Sequence, residues 1–175
     1  MKIGILGSGY IATKIAEAIR VLDEKGYGVK AYAIASRSIE KAKQFASDFH
    51  FEKAYGSYEE LAQDKEVDLI YVATPHSEHY SNIKLCLKYE KNLLVEKAFT
   101  ANLLQASEVI TSAREKGVFL CEAMWTRFLP GVQCLKEWLV SGKIGKIQTV
   151  EANFSIPISH VERLRNPSLA GGALL

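Results

Sequence analysis

Short apolar runs alternate along this chain with stretches whose apolar positions recur every third or fourth residue. The first run is Ile3, Ile5 and Leu6. After a glycine turn, Ile11, Ile15, Ala16, Ala18 and Ile19 fall on one helical face. The second strand is expected at Val29 to Ala35 and a helix at Ser38 to Phe49, with Ile39, Ala42, Phe45, Ala46 and Phe49 facing inward. Ser38 suits the N-cap of that helix, but Lys41 at the third helical position means that the full capping box is absent. A short strand near Lys53-Ala54 precedes Ser57 and Glu60, which are spaced as a capping box. Asp68 to Ala73 reads as a buried strand stopped by Pro75. A helix from Glu78 to Lys88, a strand from Asn92 to Val95, a helix from Asn102 to Lys116 ending at Gly117, and a sixth apolar run from Val118 to Cys121 complete the series.

Strands alternating with helices predict an α/β fold, a doubly wound parallel sheet of the Rossmann type. Near Glu122 the rhythm changes. A helix is expected from Pro130 to Val140, a turn over Ser141 to Gly145, and a half-exposed antiparallel strand from Lys146 to Ile156, with a loop from Pro157 to Leu175. The pattern predicts a first domain over residues 1–122 and the beginning of a second over 123–175.

Composition narrows the function classes. The chain has 175 residues, 48% hydrophobic and 24% charged, with a net charge of +2. That balance is ordinary for a globular domain and gives no argument for nucleic-acid or membrane binding. No apolar stretch reaches membrane-spanning length, and the start reads as a strand rather than a signal peptide. Cys86, Cys121 and Cys134 are widely spaced without a C-x-x-C pair, which points to buried free thiols and a reducing cytoplasm.

The turn after the first strand reads Gly7-x-Gly9-x-x-Ala12, the spacing of a dinucleotide fingerprint. Gly7 permits positive φ, Gly9 lets backbone approach a pyrophosphate, and Ala12 allows the helix to pack close to the strand. Gly7, Ser8, Gly9, Tyr10 and Ile11 are therefore candidate cofactor contacts. After the second strand comes Ser36-Arg37-Ser38, with no carboxylate for a ribose 2′-hydroxyl. Arg37 and the two hydroxyls suit a 2′-phosphate, which favours NADP and leaves NAD as the alternative.

Thr74, Pro75 and His76 follow a strand at its carboxyl end, where open α/β sheets bind ligands. His76 and His79 have the spacing of a metal pair, but no neighbouring ligand set accompanies them; packing or a cofactor contact is the expected role. Glu96 and Lys97 stand at another carboxyl end. A lysine there can donate to a substrate oxygen, with its basicity adjusted by partial burial and Glu96 orienting it. On spacing alone the pair reads equally as an ordinary exposed dipeptide.

Five ordered segments carry a resemblance: Gly7 to Ala12, Ala73 to His76, Val95 to Lys97, Glu122 to Pro130 and Ala170 to Leu174. Together they resemble the glucose–fructose oxidoreductase / inositol dehydrogenase / MocA family. Met124 to Phe128 is most similar to its dimeric dihydrodiol dehydrogenase group. The resemblance implies a Rossmann domain, a second α+β domain with a large open sheet, NAD(P) as cofactor, and hydride transfer at a sugar, cyclitol or diol carbon. It implies that Lys97 is the catalytic residue, with Ala98 standing where the family has proline. Trp125 and Arg127, with Glu122 and Phe128, are implied near cofactor or substrate, and Arg163 and Asn166 in a loop that approaches the site. Homo-oligomerisation through the C-terminal domain and a small polyol or sugar-like substrate are also implied. In the family, an Asp and a His or Tyr follow the stretch matching Gly171 to Leu174. The 175 residues are thus expected to hold the cofactor site and Lys97 without a complete substrate site. A non-catalytic dinucleotide-binding regulator and an inactive fragment are the alternative readings.

Overall fold

The computed structural model describes residues 1–153, together with Pro157, Glu162, Arg165 and Asn166. Six strands form one sheet: β1 (Lys2–Leu6), β2 (Lys30–Ala35), β3 (Lys53–Tyr55), β4 (Leu69–Val72), β5 (Asn92–Val95) and β6 (Leu120–Glu122). Their order is β3-β2-β1-β4-β5-β6 and every neighbouring pair is parallel. The order reverses direction between β1 and β4, so a crevice opens there at the carboxyl ends.

Residues alternate across the sheet. Ile3, Ile5, Ile34 and Tyr71 face α1 (Tyr10–Glu24) and α2 (Ile39–Phe49), packing with Ala12, Ala16, Ile19 and Phe45. Leu6, Ile70, Val72 and Leu93 face the other way, against Leu61 of α3 (Tyr58–Gln63), Ile83 and Leu87 of α4 (His79–Lys88) and Val109 of α5 (Leu103–Lys116). Each fully buried Ile or Leu contributes about 1.5–3 kcal/mol by leaving water. Both faces are covered, as a parallel sheet requires.

Local signals in the sequence are realised in the backbone. Ser38 caps α2 by accepting from Lys41 N, without the reciprocal bond. Ser57 and Glu60 form both bonds of a capping box at the start of α3. Gly117 ends α5 at φ 65°. Behind α3, the Asp64 carboxylate accepts from Tyr55 Oη at 2.7 Å and Lys53 Nζ at 2.9 Å. Burial opposes ionisation there, but these two bonds, the Glu66 N–H and the Lys53 charge together outweigh it and hold Asp64 down at about 2. Lys91 Nζ donates to the carbonyls of Asp64 and Val67 and ties this corner to β5.

Two expectations need correction. Residues 146–153 form no strand, and the rest of the segment expected to reach Ile156 lies outside the described residues. Alternation gives a strand one apolar face, but only a hydrogen-bonded neighbour makes it a ladder, and no strand among the described residues lies beside it. The three thiols also differ: Cys86 is buried, Cys121 half-buried and Cys134 exposed. Burial pushes the Cys86 thiol up to about 12. Cys134 belongs to α6 (Pro130–Val140), a helix that buries none of its residues and packs chiefly against the 3₁₀ turn Trp125–Phe128. The expected loop from Pro157, Arg163 and the Ala170 to Leu174 motif fall largely or wholly outside the described residues.

Candidate functional site

Four loops meet at the carboxyl edge of the sheet. Beyond the strands the parallel ladder continues by one residue: Gly7 N bonds Ala35 O, Ala73 N bonds Leu6 O, and Glu96 N bonds Val72 O. These bonds bring the ends of β2, β1, β4 and β5 level. Between them lies a cleft of about 670 Å³.

The loop after β1 forms its floor. Gly7 has φ 98°, and a Cβ there would stand 2.9 Å from Ala73 O. Gly9 is different. Its φ is an ordinary −86°, and a Cβ on it would meet nothing within 4 Å. It opens onto the space of the cleft. Gly9 is also the N-cap of α1, which has no side-chain cap and no acidic residue in its first turn. The N–H groups of that turn are thus available to an anion, and the helix dipole adds a positive end.

Ser36, Arg37 and Ser38 line the cleft after β2. Ser8 donates to Ser36 Oγ at 3.3 Å and joins the first two loops. Two residues that the sequence reading did not single out complete this end, Lys41 and Tyr58. Lys41 lies one helical turn beyond Arg37, a spacing that could have revealed it. Tyr58 opens α3 after β3, and Ser36 N bonds Tyr55 O across to that strand. Burial pushes the Tyr58 phenol up, while the nearby Arg37 charge opposes it.

Thr74, Pro75 and His76 line the cleft after β4, and Glu96 and Lys97 after β5. Asn82 Nδ2 donates to Thr74 Oγ1 at 2.9 Å and fixes that loop from below. Tyr71 donates its hydroxyl to Glu96 Oε1. Burial first, then this bond, pushes the Tyr71 phenol well up. Lys97 N donates to Glu96 Oε2 at 3.2 Å. Lys97 is exposed, not partly buried as the sequence suggested, and no carboxylate pairs with its Nζ among the described residues. The Lys97–Ala98 peptide bond is cis.

Three sequence candidates are not brought to the cleft lining. His79 is buried beneath it, with both ring nitrogens against backbone carbonyls. Trp125 and Arg127 are exposed on the 3₁₀ turn after β6, the margin strand beyond β5, which carries them away from the switch point.

Strand order and a glycine turn at the switch point define a doubly wound nucleotide-fold protein of the Rossmann class. The chain belongs to the Gfo/Idh/MocA family: the pattern of that oxidoreductase family, with its NAD-binding Rossmann fold, matches residues 1–123. It is 40% identical over 172 residues to trans-1,2-dihydrobenzene-1,2-diol dehydrogenase of Mus musculus, covering 98% of this chain and 51% of that one. The chain thus spans about half the length of the curated relatives it matches. Among solved structures it is similar to an NAD binding oxidoreductase from Klebsiella pneumoniae (TM-score 0.78, 29% identity, 83% of this chain and 40% of that one). It is also similar to a 3-ketoreductase from Actinomadura kijaniata in complex with NADP (TM-score 0.74, 29% identity, 84% and 46%).

Proposed function

We propose that this chain carries the cofactor site and the catalytic lysine of an NADP-dependent oxidoreductase acting on a diol or sugar-like carbon. The observation that carries this reading is the single cleft lined at once by the glycine turn, by Arg37 and by Lys97. The open space above Gly9 and the uncapped start of α1 fit a pyrophosphate. Arg37 and Lys41 fit a 2′-phosphate, and among the described residues no carboxylate lines that end. The 3-ketoreductase relative binds NADP, in line with this preference.

A bound nicotinamide supplies the hydride acceptor or donor. Lys97 hydrogen-bonds the substrate oxygen, takes the hydroxyl proton during oxidation and returns it during reduction. Glu96, held by Tyr71 and by Lys97 N, keeps its carboxylate off the Lys97 amine and leaves that amine available to substrate. We assign the domain boundary to residues 122 and 123, after β6. Self-association would use the apolar side chains that α6 exposes, Val132, Leu135 and Trp138 among them.

Lys97→Met in the whole protein tests the reading. The rate should fall by about 10²–10⁴ while the cofactor dissociation constant moves far less. A kcat within a few-fold of wild type would remove Lys97 from the mechanism.

A further inference from the structure

His79 is only 1% exposed, yet it stands between two groups that can only accept hydrogen bonds. Its Nδ1 is 2.8 Å from Ala98 O and its Nε2 is 2.9 Å from Thr74 O. A neutral imidazole has one N–H. It would satisfy one carbonyl and turn a lone pair towards the other. An imidazolium donates to both, through the stronger charge-assisted bond.

We propose that His79 carries a proton on each ring nitrogen in the folded protein and, as an imidazolium, ties the end of β4 to the turn that bears Lys97. His79 is then a positioning residue. It does not touch the cleft, but it fixes Ala98, the residue bonded to Lys97. Two carboxylates hold the same turn. Glu96 accepts from Lys97 N, and Glu122 accepts from Phe99 N at 3.0 Å. Residues 97, 98 and 99 are each anchored through one backbone group, by the side chains of Glu96, His79 of α4 and Glu122 of β6.

The charges and titratable groups around the ring are the following. Glu78 precedes His79 in the chain, and the His76 ring on the 3₁₀ turn lies 6.3 Å away centre to centre. Further along the turn that the ring holds, Glu96 and Lys97 precede Ala98, and Glu122 reaches Phe99 N. The positive end of α4 opposes a cation at its first residue, so the two charge-assisted carbonyl bonds have to outweigh it. Thr74 is itself fixed, because Asn82 donates to its hydroxyl while His79 donates to its carbonyl.

The functional consequence rests on the reading of Lys97 as catalytic, but the protonation state does not. Nitrogen-15 NMR of the chain labelled in histidine tests the latter directly at the neutral pH used for cofactor binding. The expected result is two protonated ring nitrogens for His79, resonating as a matched pair. One protonated and one bare nitrogen would overturn the proposal, and this measurement needs no variant. His79→Gln offers one NH₂ group and one further acceptor, so it can serve only one of the two carbonyls. In that variant the amide signals of Lys97, Ala98 and Phe99 should move while those of the Gly7 to Ala12 turn stay. In the whole protein kcat should fall between about tenfold and about a hundredfold at an unchanged cofactor dissociation constant. Unmoved amides would also overturn the proposal. A Lys97→Met variant that keeps kcat within a few-fold of wild type, alongside a matched nitrogen pair, would sink the proposed function alone.

Discussion

Gly7 and Ala73 leave no room for a side chain between them: a Cβ on Gly7 would lie 2.9 Å from the Ala73 carbonyl oxygen, at a φ of 98°. The contact joins the ends of β1 and β4, the two strands that flank the cleft. Two residues along, Gly9 has ordinary backbone angles and open space above it. One motif therefore contains a glycine that the fold requires and a glycine that the packing of the chain does not.

Gly7→Ala should destabilise the chain by about 1–3 kcal/mol, the usual cost of a non-glycine residue held in a sparsely populated region. For a chain of this size the thermal midpoint should drop about 2–4 °C for each of those kcal/mol. Gly9→Val should leave the midpoint almost unchanged and abolish binding of either cofactor. Calorimetry and cofactor titration on the two variants read both effects. Retained micromolar binding by Gly9→Val would mean that the pyrophosphate lies elsewhere.

Arg37→Ala should weaken NADPH binding by about 1.5–3 kcal/mol, the range for hydrogen bonds to a charged group, and leave NADH nearly untouched. Lys41→Gln should act in the same direction with a smaller loss, because an ammonium meets phosphate as a point charge without the guanidinium's paired donors. Equal losses for both cofactors would place these cations away from the 2′ position.

Acid stability should depend on Asp64. Its ordinary value is 3.8, and in the fold it is held at about 2. Between those values the unfolded chain binds the proton more readily. The stabilisation is therefore complete above about pH 5 and is lost as pH falls through about 2. The shift corresponds to about 2 kcal/mol at most, and solvent around the half-exposed Lys53 reduces that to about 1 kcal/mol. Asp64→Asn should lose this contribution at neutral pH and show a flatter stability profile in the acid range, measured by denaturant unfolding.

Tyr71→Phe should cost about 1–2 kcal/mol, since it removes the donor that satisfies Glu96. In an ultraviolet pH titration the wild type should retain one more late-ionising tyrosine than the variant, since Tyr71 is among those that burial pushes up. Ionisation of every tyrosine together would contradict the Tyr71–Glu96 bond.

What the sequence disclosed was local. The glycine turn, the Ser57–Glu60 capping box, Ser38 without a box and Gly117 all act within a few residues, and each appears in the backbone as the pattern requires. The strand ends that supply Arg37, His76 and Lys97 were also legible, because parallel topology forces carboxyl ends to one side. Lys41 and Tyr58 were not, since only the docking of α2 and α3 beside β2 brings them to the cleft. The burial of His79 and the exposure of Lys97 were equally hidden: spacing says nothing about which side of a loop faces solvent. The segment at 146–153 shows the converse failure, in which alternation is present but no neighbouring strand is there to use it.

The margins of the sheet have a consequence for solubility. β3 and β6, the outermost strands, are three residues each. A foreign strand arriving at either margin finds only a few backbone groups to match, and on β3 it meets Lys53 as well. Fibre-like extension by backbone zippering is thereby disfavoured from both sides. The apolar surface that α6 exposes is of another kind, since contact there would run through side chains and dilution could undo it.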